Sequence, residues 1–405
     1  MSRSSRTLVA IGVVLLILAA AMPALARATL VRYPGGSLDK TAHATGSLTL
    51  FVNPASAAPQ PPQTFPLDIE RRLYKVETTG GNVLMQEDDQ EKIGPLPPQV
   101  FAQRYVLDAR SVKDVGSTQA YAYTPDTPVD RSPAYSINFP FSTGHGPYPV
   151  WKNEVGRAYD FTSQGAVTVS GLRLRRFHGY LADAAVRPYY LPQLKPQGIP
   201  ASLTLDQLKP QLTAGGVNVG LLTSVLAQLD PGDRTTIDNL LAAPIPLDYR
   251  LVVDTSLLVE PRSGAIVSLD RILQTISVRP NVSGLGRIQA ILGQSKYTPN
   301  PAVTEGAAVL ARLVAKPPTT KVFTVSYSQT PSSIADIASF TKVKAAKITL
   351  VTRTMPVIIA LLGLLVLGLW LMLILAGRRH KPAGPGGAAP VITKPAGRAP
   401  IRGSA

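Results

Sequence analysis

Hydrophobic positions along this chain follow three different periods, and each predicts a different kind of element. At the two ends they are continuous: residues 8–25 (LVAIGVVLLILAAAMPAL) and 356–376 (PVIIALLGLLVLGLWLMLILA) carry no charged side chain. Twenty-one helical residues rise about 31 Å, against a hydrocarbon core of about 30 Å, so the second run predicts a transmembrane helix. The first is compatible with a retained anchor and with a signal peptide. Arg3 and Arg6 precede it, Ala24-Leu25-Ala26 has the form of a cleavage site, and Pro23 suits a cleavage region or a helix end. On either reading, the roughly 330 residues between the runs form one domain on one side of a membrane.

From 28 to about 190 the apolar positions alternate. Segments 43–52 (HATGSLTLFV), 67–77 (LDIERRLYKVE), 101–108 (FAQRYVLD), 167–170 and 171–181 (GLRLRRFHGYL) read as strands. Pro/Gly clusters at 59–62, 80–81 and 94–98 read as the turns between them. Leu172 and Leu174 fall on one face, with Arg173 and Arg175 on the other, as in a sheet wetted on one side. The acidic run 87–91 (EDDQE) reads as a solvated loop tip.

From 202 the period lengthens. Leu221, Leu222, Val225, Leu226 and Leu229 have helical spacing, closed by Asp230-Pro231-Gly232, and 235–241 and 303–314 predict further short helices. Between them, 247–260 and 265–278 form a hairpin around Pro261-Arg262-Ser263-Gly264, because Pro and Gly supply the φ angles of a tight turn. Residues 321–328 predict a strand. A helix over 331–347, with Ile334, Ile337, Phe340 and Val343 spaced by threes, leads into the last span. The expected fold class is α+β: an antiparallel β-sheet ectodomain with a helical subdomain, flanked by N- and C-terminal transmembrane helices. Its parts are a cytoplasmic N-terminus (1–7), a span or signal anchor (8–25), the extracytoplasmic domain (26–354), the second span (355–376) and a disordered basic tail (377–405). Within the domain, 28–190 is mainly β, 202–245 a helical insert, 246–328 hairpin and helices, and 333–350 a stalk helix.

Charge sets the expected orientation. Arg3 and Arg6 precede the first run, and the tail 377–405 has six Lys/Arg and no Asp/Glu. Basic flanks stay cytoplasmic, so both termini are expected inside a bacterial plasma membrane and the domain outside. Lys342, Lys344, Lys347, Arg353, Arg27 and Arg32 pull the other way. Half of the formal net charge of +16 lies in those two ends. The basic ends are therefore expected to meet anionic lipid headgroups, and no nucleic acid is expected as partner. The chain has no cysteine, which excludes disulfides and thiolate metal sites. A domain of this size can bury enough surface without them.

Catalytic motifs are sparse. Four histidines are scattered (His43, His145, His178, His380), and no H-E-x-x-H, Walker A, G-x-S-x-G or G-x-G-x-x-G occurs. Ser37-Leu38-Asp39-Lys40 matches S-x-x-K without a K-T-G partner, a chance match. Glu87, Asp88, Asp89 and Glu91 lack the glycine-punctuated spacing of a Ca²⁺ loop. No cofactor and no metal is expected. The loop 139–151 concentrates Phe139, Phe141, Tyr148 and Trp151 around prolines and His145. It reads either as a stiffened plug for the sheet edge or as the aromatic wall of an apolar pocket. Arg173, Arg175 and Arg176 read as a solvated strand face, or as a grip on phosphate or carboxylate of an envelope lipid or glycan.

Four segments together resemble an actinobacterial family of two-span cell-envelope proteins, long a domain of unknown function and labelled the porin PorA family. They are the anchor with the Thr/Gly-rich strand 45–51, and the loop 138–153 (NFPFSTGHGPYPVWKN). The others are the hairpin 258–267 (LVEPRSGAIV) and the helix 333–347 running into the last span. The family implies no established reaction and no known catalytic residues. In layout only, two anchors around a β-rich domain are similar to class B scavenger receptors, which bind and pass lipids.

Three functions remain. The first is a non-enzymatic envelope protein that binds lipid or another envelope component through Phe139, Phe141, Tyr148, Trp151, Arg173 and Arg175. The second is the porin of the family label. A transmembrane barrel, however, would show lipid-facing strands and no membrane helices, and the spans have no polar residue to line a pore. The third is an envelope enzyme, for which no constellation is present.

Overall fold

The protein is described by a computed structural model covering residues 3–29, 31–34, 37–53, 58–194, 200–214 and 219–379. Nearly all of the expected tail, from residue 380 on, lies outside the described residues. The chain divides into two compact units: the central residues Ala24–Thr352, and the helical ends on either side.

The end unit contains the apolar helices. α1 (Arg3–Thr29) and α9 (Met355–Arg379) are both long and apolar enough to cross a membrane. They approach closely at two glycines. A Cβ on Gly12 would lie 2.6 Å from Leu367, and one on Gly363 would lie 3.1 Å from the Gly12 carbonyl. Small residues at such a crossing let backbones pack where lipid offers no hydrophobic drive. The other faces stay bare, with Ile17, Leu365 and Met372 more than 60% exposed.

The central unit is built on one antiparallel sheet. Its strands are β1 (Asp39–Val52), β2 (Pro59–Thr79), β3 (Asn82–Ile93), β4 (Gln99–Asp108), β5 (Tyr148–Lys152), β6 (Arg157–Val169) and β7 (Leu172–Ala185). After a short helix α2 (Leu191–Leu194) come β8 (Ser202–Leu203), β9 (Ile245–Val259), β10 (Ile266–Pro280) and β11 (Thr320–Gln329). The order is β4-β3-β2-β1-β11-β10-β9-β7-β6-β5, with β8 on β9. Tight turns with two positive-φ residues close β2–β3 (Gly80, Gly81) and β6–β7 (Ser170, Gly171), the twist a two-residue hairpin requires. Register shifts interrupt most of the long pairings, for example at Leu50/Val52, Leu269/Arg271 and Leu181/Ala184. Such bulges sharpen strand curvature, and here the sheet curls until its edges meet. Asn153, just after β5, donates its Nδ2 to Gln103 Oε1 on β4. Arg131, 2% exposed, bridges the same seam by donating to the Arg104 and Tyr121 carbonyls and to Asn153 Oδ1.

Alternation along each strand decides what faces in. One inward row runs Leu48–Val325–Gln274–Val253–Leu181 across five strands. Neighbouring outward rows run Thr49–Thr324–Thr275–Val252 and Ser47–Ser326–Leu273–Asp254, with hydroxyls paired at 3.0 Å (Thr49–Thr64) and 3.1 Å (Thr275–Thr324). Outer rows in which Thr, Ser and Asp outnumber Leu and Val are those of a water-facing sheet, not of a lipid-facing barrel.

Two helical excursions leave the sheet. α3 (Leu205–Ala214), α4 (Val219–Leu226) and α5 (Pro231–Ala242) precede β9; α6 (Gly286–Leu292) and α7 (Pro301–Ala315) separate β10 from β11. α4–α7 bury each other through Val225, Ile237, Ile288, Ile291 and Val303, a core separate from that of the sheet, whereas α3 packs Leu205 and Leu208 onto the sheet core. Asn300 caps α7 by accepting from the Ala302 and Val303 amides. The expected hairpin is β9–β10, and the expected final helix is α8 (Pro331–Thr349).

Two expectations are corrected. Glu87–Glu91 is no loop tip: it is the middle of β3, with Glu87 and Asp89 buried. The proline cluster 59–62 is no turn; it opens β2, in a stretch paired only to β1, where a missing N–H costs nothing on the unpaired side. On α8, spacing by threes drifts at 100° per residue, so Val343 ends opposite Ile334 and is 56% exposed. The buried positions are Ser333, Ala338, Thr341 and Ala345.

Candidate functional site

The curled sheet, α8 and the segment after α1 enclose a cavity of about 570 Å³. Its lining has two characters. β9–β11 contribute mainly apolar groups (Leu257, Ile266, Leu269, Ile272 and Val325) with Thr255, Gln274 and Gln329 among them, whereas β2–β4 set Arg71, Glu87, Asp89, Glu91, Gln103 and Tyr105 among Leu67, Ile69 and Ile93. The acidic side follows from strand periodicity: Glu87, Asp89 and Glu91 sit at i, i+2 and i+4, so all three project from the inner face of β3.

Arg71, opposite Asp89 in the register, holds that wall together. Its Nε and Nη2 donate to Asp89 Oδ1 and Oδ2 at 2.8 and 3.0 Å, and its Nε lies 3.5 Å from Glu87 Oε1. Gln103 Nε2 donates to Glu87 at 3.4 Å, while Gln103 Oε1 accepts from the Tyr105 hydroxyl. One guanidinium thus serves two carboxylates with a third nearby. Burial pushes the Glu87 carboxyl up to about 7, with Arg71 opposing and Asp89 adding to the shift. Glu91 is also raised to about 7, by burial and then by Asp89. Arg71 is held firmly cationic by Asp89 and Glu87 against its own desolvation. The cavity wall can therefore take up or release protons near neutrality. Lys152 and Glu154, at 2.7 Å, form a second ion pair on the lining.

The six residues singled out from the sequence fall in three places. Phe141 and Trp151 line the cavity. The Trp151 indole Nε1–H is buried and has no hydrogen-bond partner among the described residues. Phe139 and Tyr148 instead fill the sheet core with Phe161 and Phe177: Phe139 stacks on Phe177 at 4.9 Å and meets Tyr148 edge-on at 5.2 Å. Arg173 is exposed and Arg175 partly so; Arg175 donates to the Thr143 carbonyl at 3.2 Å, tying β7 to the aromatic loop. Neither arginine lines the cavity. The loop is therefore both plug and wall, in different residues.

That loop and the β9–β10 turn, distant in sequence, lock together. The Phe139 amide donates to the Gly264 carbonyl at 2.8 Å, and Asn138 Nδ2 to that of Ser263 at 3.1 Å. Gly264, at φ +71°, is required there, since a Cβ would fall 2.0 Å from the Phe139 oxygen. Glu260, 1% exposed, braces the turn by accepting from the Ser263 amide, the Ser263 hydroxyl and Arg262 Nε, each at 2.8 Å.

The sequence had concealed the charged wall. Its one signal was the alternation of Glu87, Asp89 and Glu91 inside a segment flanked by Val83, Leu84, Met85 and Ile93. Among the described residues no group of three His, Cys, Asp or Glu is arranged to hold a metal.

A family profile described as Porin PorA matches residues 4–372, from the first apolar helix through most of the last. Comparison with curated proteins returns no match.

Proposed function

The chain belongs to the Porin PorA family, and we propose that it is a membrane-anchored cell-envelope protein whose extracytoplasmic domain binds an amphiphile non-enzymatically in the cavity of its curled sheet. The cavity carries this reading. Its volume of about 570 Å³ lies within the ~300–1,000 Å³ typical of small-molecule sites, and its lining is largely apolar with a cluster of charged side chains on β2 and β3. Each CH₂ buried contributes about 0.8 kcal/mol, so a twelve-carbon chain supplies about 10 kcal/mol before ordering costs.

Retention of α1 as an anchor is supported by its course: the helix runs unbroken through Pro23 to Thr29, and Ala26, the last residue of the cleavage-like motif, is 2% exposed. Both termini are proposed to be cytoplasmic, from Arg3, Arg6, Arg378 and Arg379. A reporter fused after Ser333 should then be active outside the membrane and one fused after Lys381 inside; an exported tail reverses the orientation.

The family's description favours a second reading, passage of solute through a pore. The polar outer face of the sheet speaks against a strand-built pore, so this reading requires several copies of α1 and α9. Planar-bilayer conductance tests it.

The amphiphile reading is tested by mass spectrometry of lipid retained by the full chain after detergent purification. Trp151→Ala should lower occupancy severalfold, whereas Arg173→Ala, off the cavity, should leave it unchanged. A wild-type chain that retains no lipid, and gains no thermal stability from added phospholipid, would refute it.

A further inference from the structure

Where α8 and the start of β1 border the cavity, four lysines gather without a counter-charge. Lys40 Nζ lies 4.6 Å from the centre of the Phe340 ring, and Lys344 Nζ lies 4.5 Å from the same ring. Both lysines line the cavity, as does Lys347 one helical turn on. Lys75 adds its field: Lys344's ammonium pKa is lowered by partial burial first, and then by Lys347, Lys40 and Lys75. Among the described residues none of the four is in an ion pair. Asp39, the carboxylate next in sequence to Lys40, is committed to Arg72 through two bonds of 2.9 and 2.6 Å. Like charges held together on a partly desolvated surface repel, and an anion seated among them relieves that cost. The surroundings are apolar, with Val31, Leu38, Ile337, Ile348 and Val351 lining the same region.

The other charged cluster has the opposite sign. Glu87, Asp89 and Glu91 outnumber Arg71 on the β2–β3 wall, so an anionic group is repelled there and attracted to the lysines. We infer that Lys40, Lys344 and Lys347 form the binding site for the anionic headgroup, phosphate or carboxylate, of a lipid whose chain occupies the cavity. This rests on the amphiphile reading above. It adds the charge of the ligand and its direction: head at the lysines, chain toward Leu257, Ile272 and Val325.

The chain has two tryptophans, Trp151 on the cavity wall and Trp370 in α9. In the full-length Trp370→Phe protein in detergent micelles, Trp151 emission therefore reports the cavity alone. Lipids brominated on their chains quench it on contact. Brominated phosphatidylglycerol is expected to quench at concentrations about a hundredfold lower than phosphatidylcholine with the same chains. Lys40→Gln, Lys344→Gln and Lys347→Gln together should weaken phosphatidylglycerol about a hundredfold, about fivefold per lysine, to the phosphatidylcholine level. The corresponding triple arginine variant should keep the preference, which separates lost charge from lost folding. Single Lys344→Gln provides the fivefold step should the triple glutamine variant fail to fold.

Equal quenching by the two lipids, unchanged by the glutamines, would overturn the headgroup site and leave the amphiphile reading standing. Quenching by neither lipid would overturn both. Inorganic phosphate at the lipid concentration should not compete; if it displaces phosphatidylglycerol, the lysines bind a free anion and the lipid assignment fails.

Discussion

The two halves of the curled sheet solve the same packing problem differently. The half built on β6, β7 and β9 is packed with aromatic rings: Phe139, Phe161 and Phe177 are each about 1% exposed or less and lie ring against ring, and one edge, at Phe161 and Leu257, reaches the cavity. The half built on β1–β4 borders the cavity, and beside buried Leu48, Leu67, Ile69 and Ile93 it turns inward a hydrogen-bonded network of charge around Arg71. Aromatic rings fill space and exclude water. Charged side chains are buried only with partners, and here Arg71 supplies one to Asp89 and Glu87. An interior with a filled half and a charged half is a core and a site built from one sheet.

The largest expected effect separates those halves directly. Phe177→Ala, in the filled half, should cost about 3–5 kcal/mol. Phe141→Ala, on the cavity wall, removes a ring already facing open space and should cost about 1–2 kcal/mol. Chemical unfolding of the detergent-solubilised protein measures both; equal losses would erase the distinction.

Next comes the charged wall. Arg71→Met leaves Asp89 and Glu87 buried without their partner and should cost about 3 kcal/mol. Replacing Asp89 as well, in Arg71→Met/Asp89→Leu, should recover part of that loss. A double variant no more stable than the single one would assign the cost to lost packing of the arginine stem.

The smallest effect is the dependence on pH. Glu87 and Glu91 are raised to about 7, and so is Asp114, buried within the segment between β4 and β5, where burial outweighs its bond from Ser136. A group with a raised folded pKa binds more protons in the folded state between its unfolded and folded values. Stability therefore falls as pH rises through that interval, from about 4 to about 7. The thermal midpoint should be higher at pH 5 than at pH 8, and Glu87→Gln should flatten the slope. A midpoint that rises with pH over this range would contradict the buried-carboxyl account.

Much of the architecture was legible because it is written in period. Continuous apolar runs gave the spans, alternation gave β1, β2, β4, β6 and β7, and the Pro261–Gly264 turn gave the β9–β10 hairpin, each through interactions between residues near in sequence. Phe141 and Trp151 could be picked out because large aromatics concentrated in a loop must pack somewhere. The charged site was not legible. The segment EDDQE reads as surface, since isolated carboxylates belong in water; only Arg71, sixteen residues away on the paired strand, permits their burial. The division of Phe139 and Tyr148 from Phe141 and Trp151, and the convergence of Lys40 with Lys344 from opposite ends of the domain, depend likewise on how far the sheet curls. Curvature sums small shifts of register over many strands. Local pattern determines which residues point inward, and only the closed tertiary structure decides which of them meet.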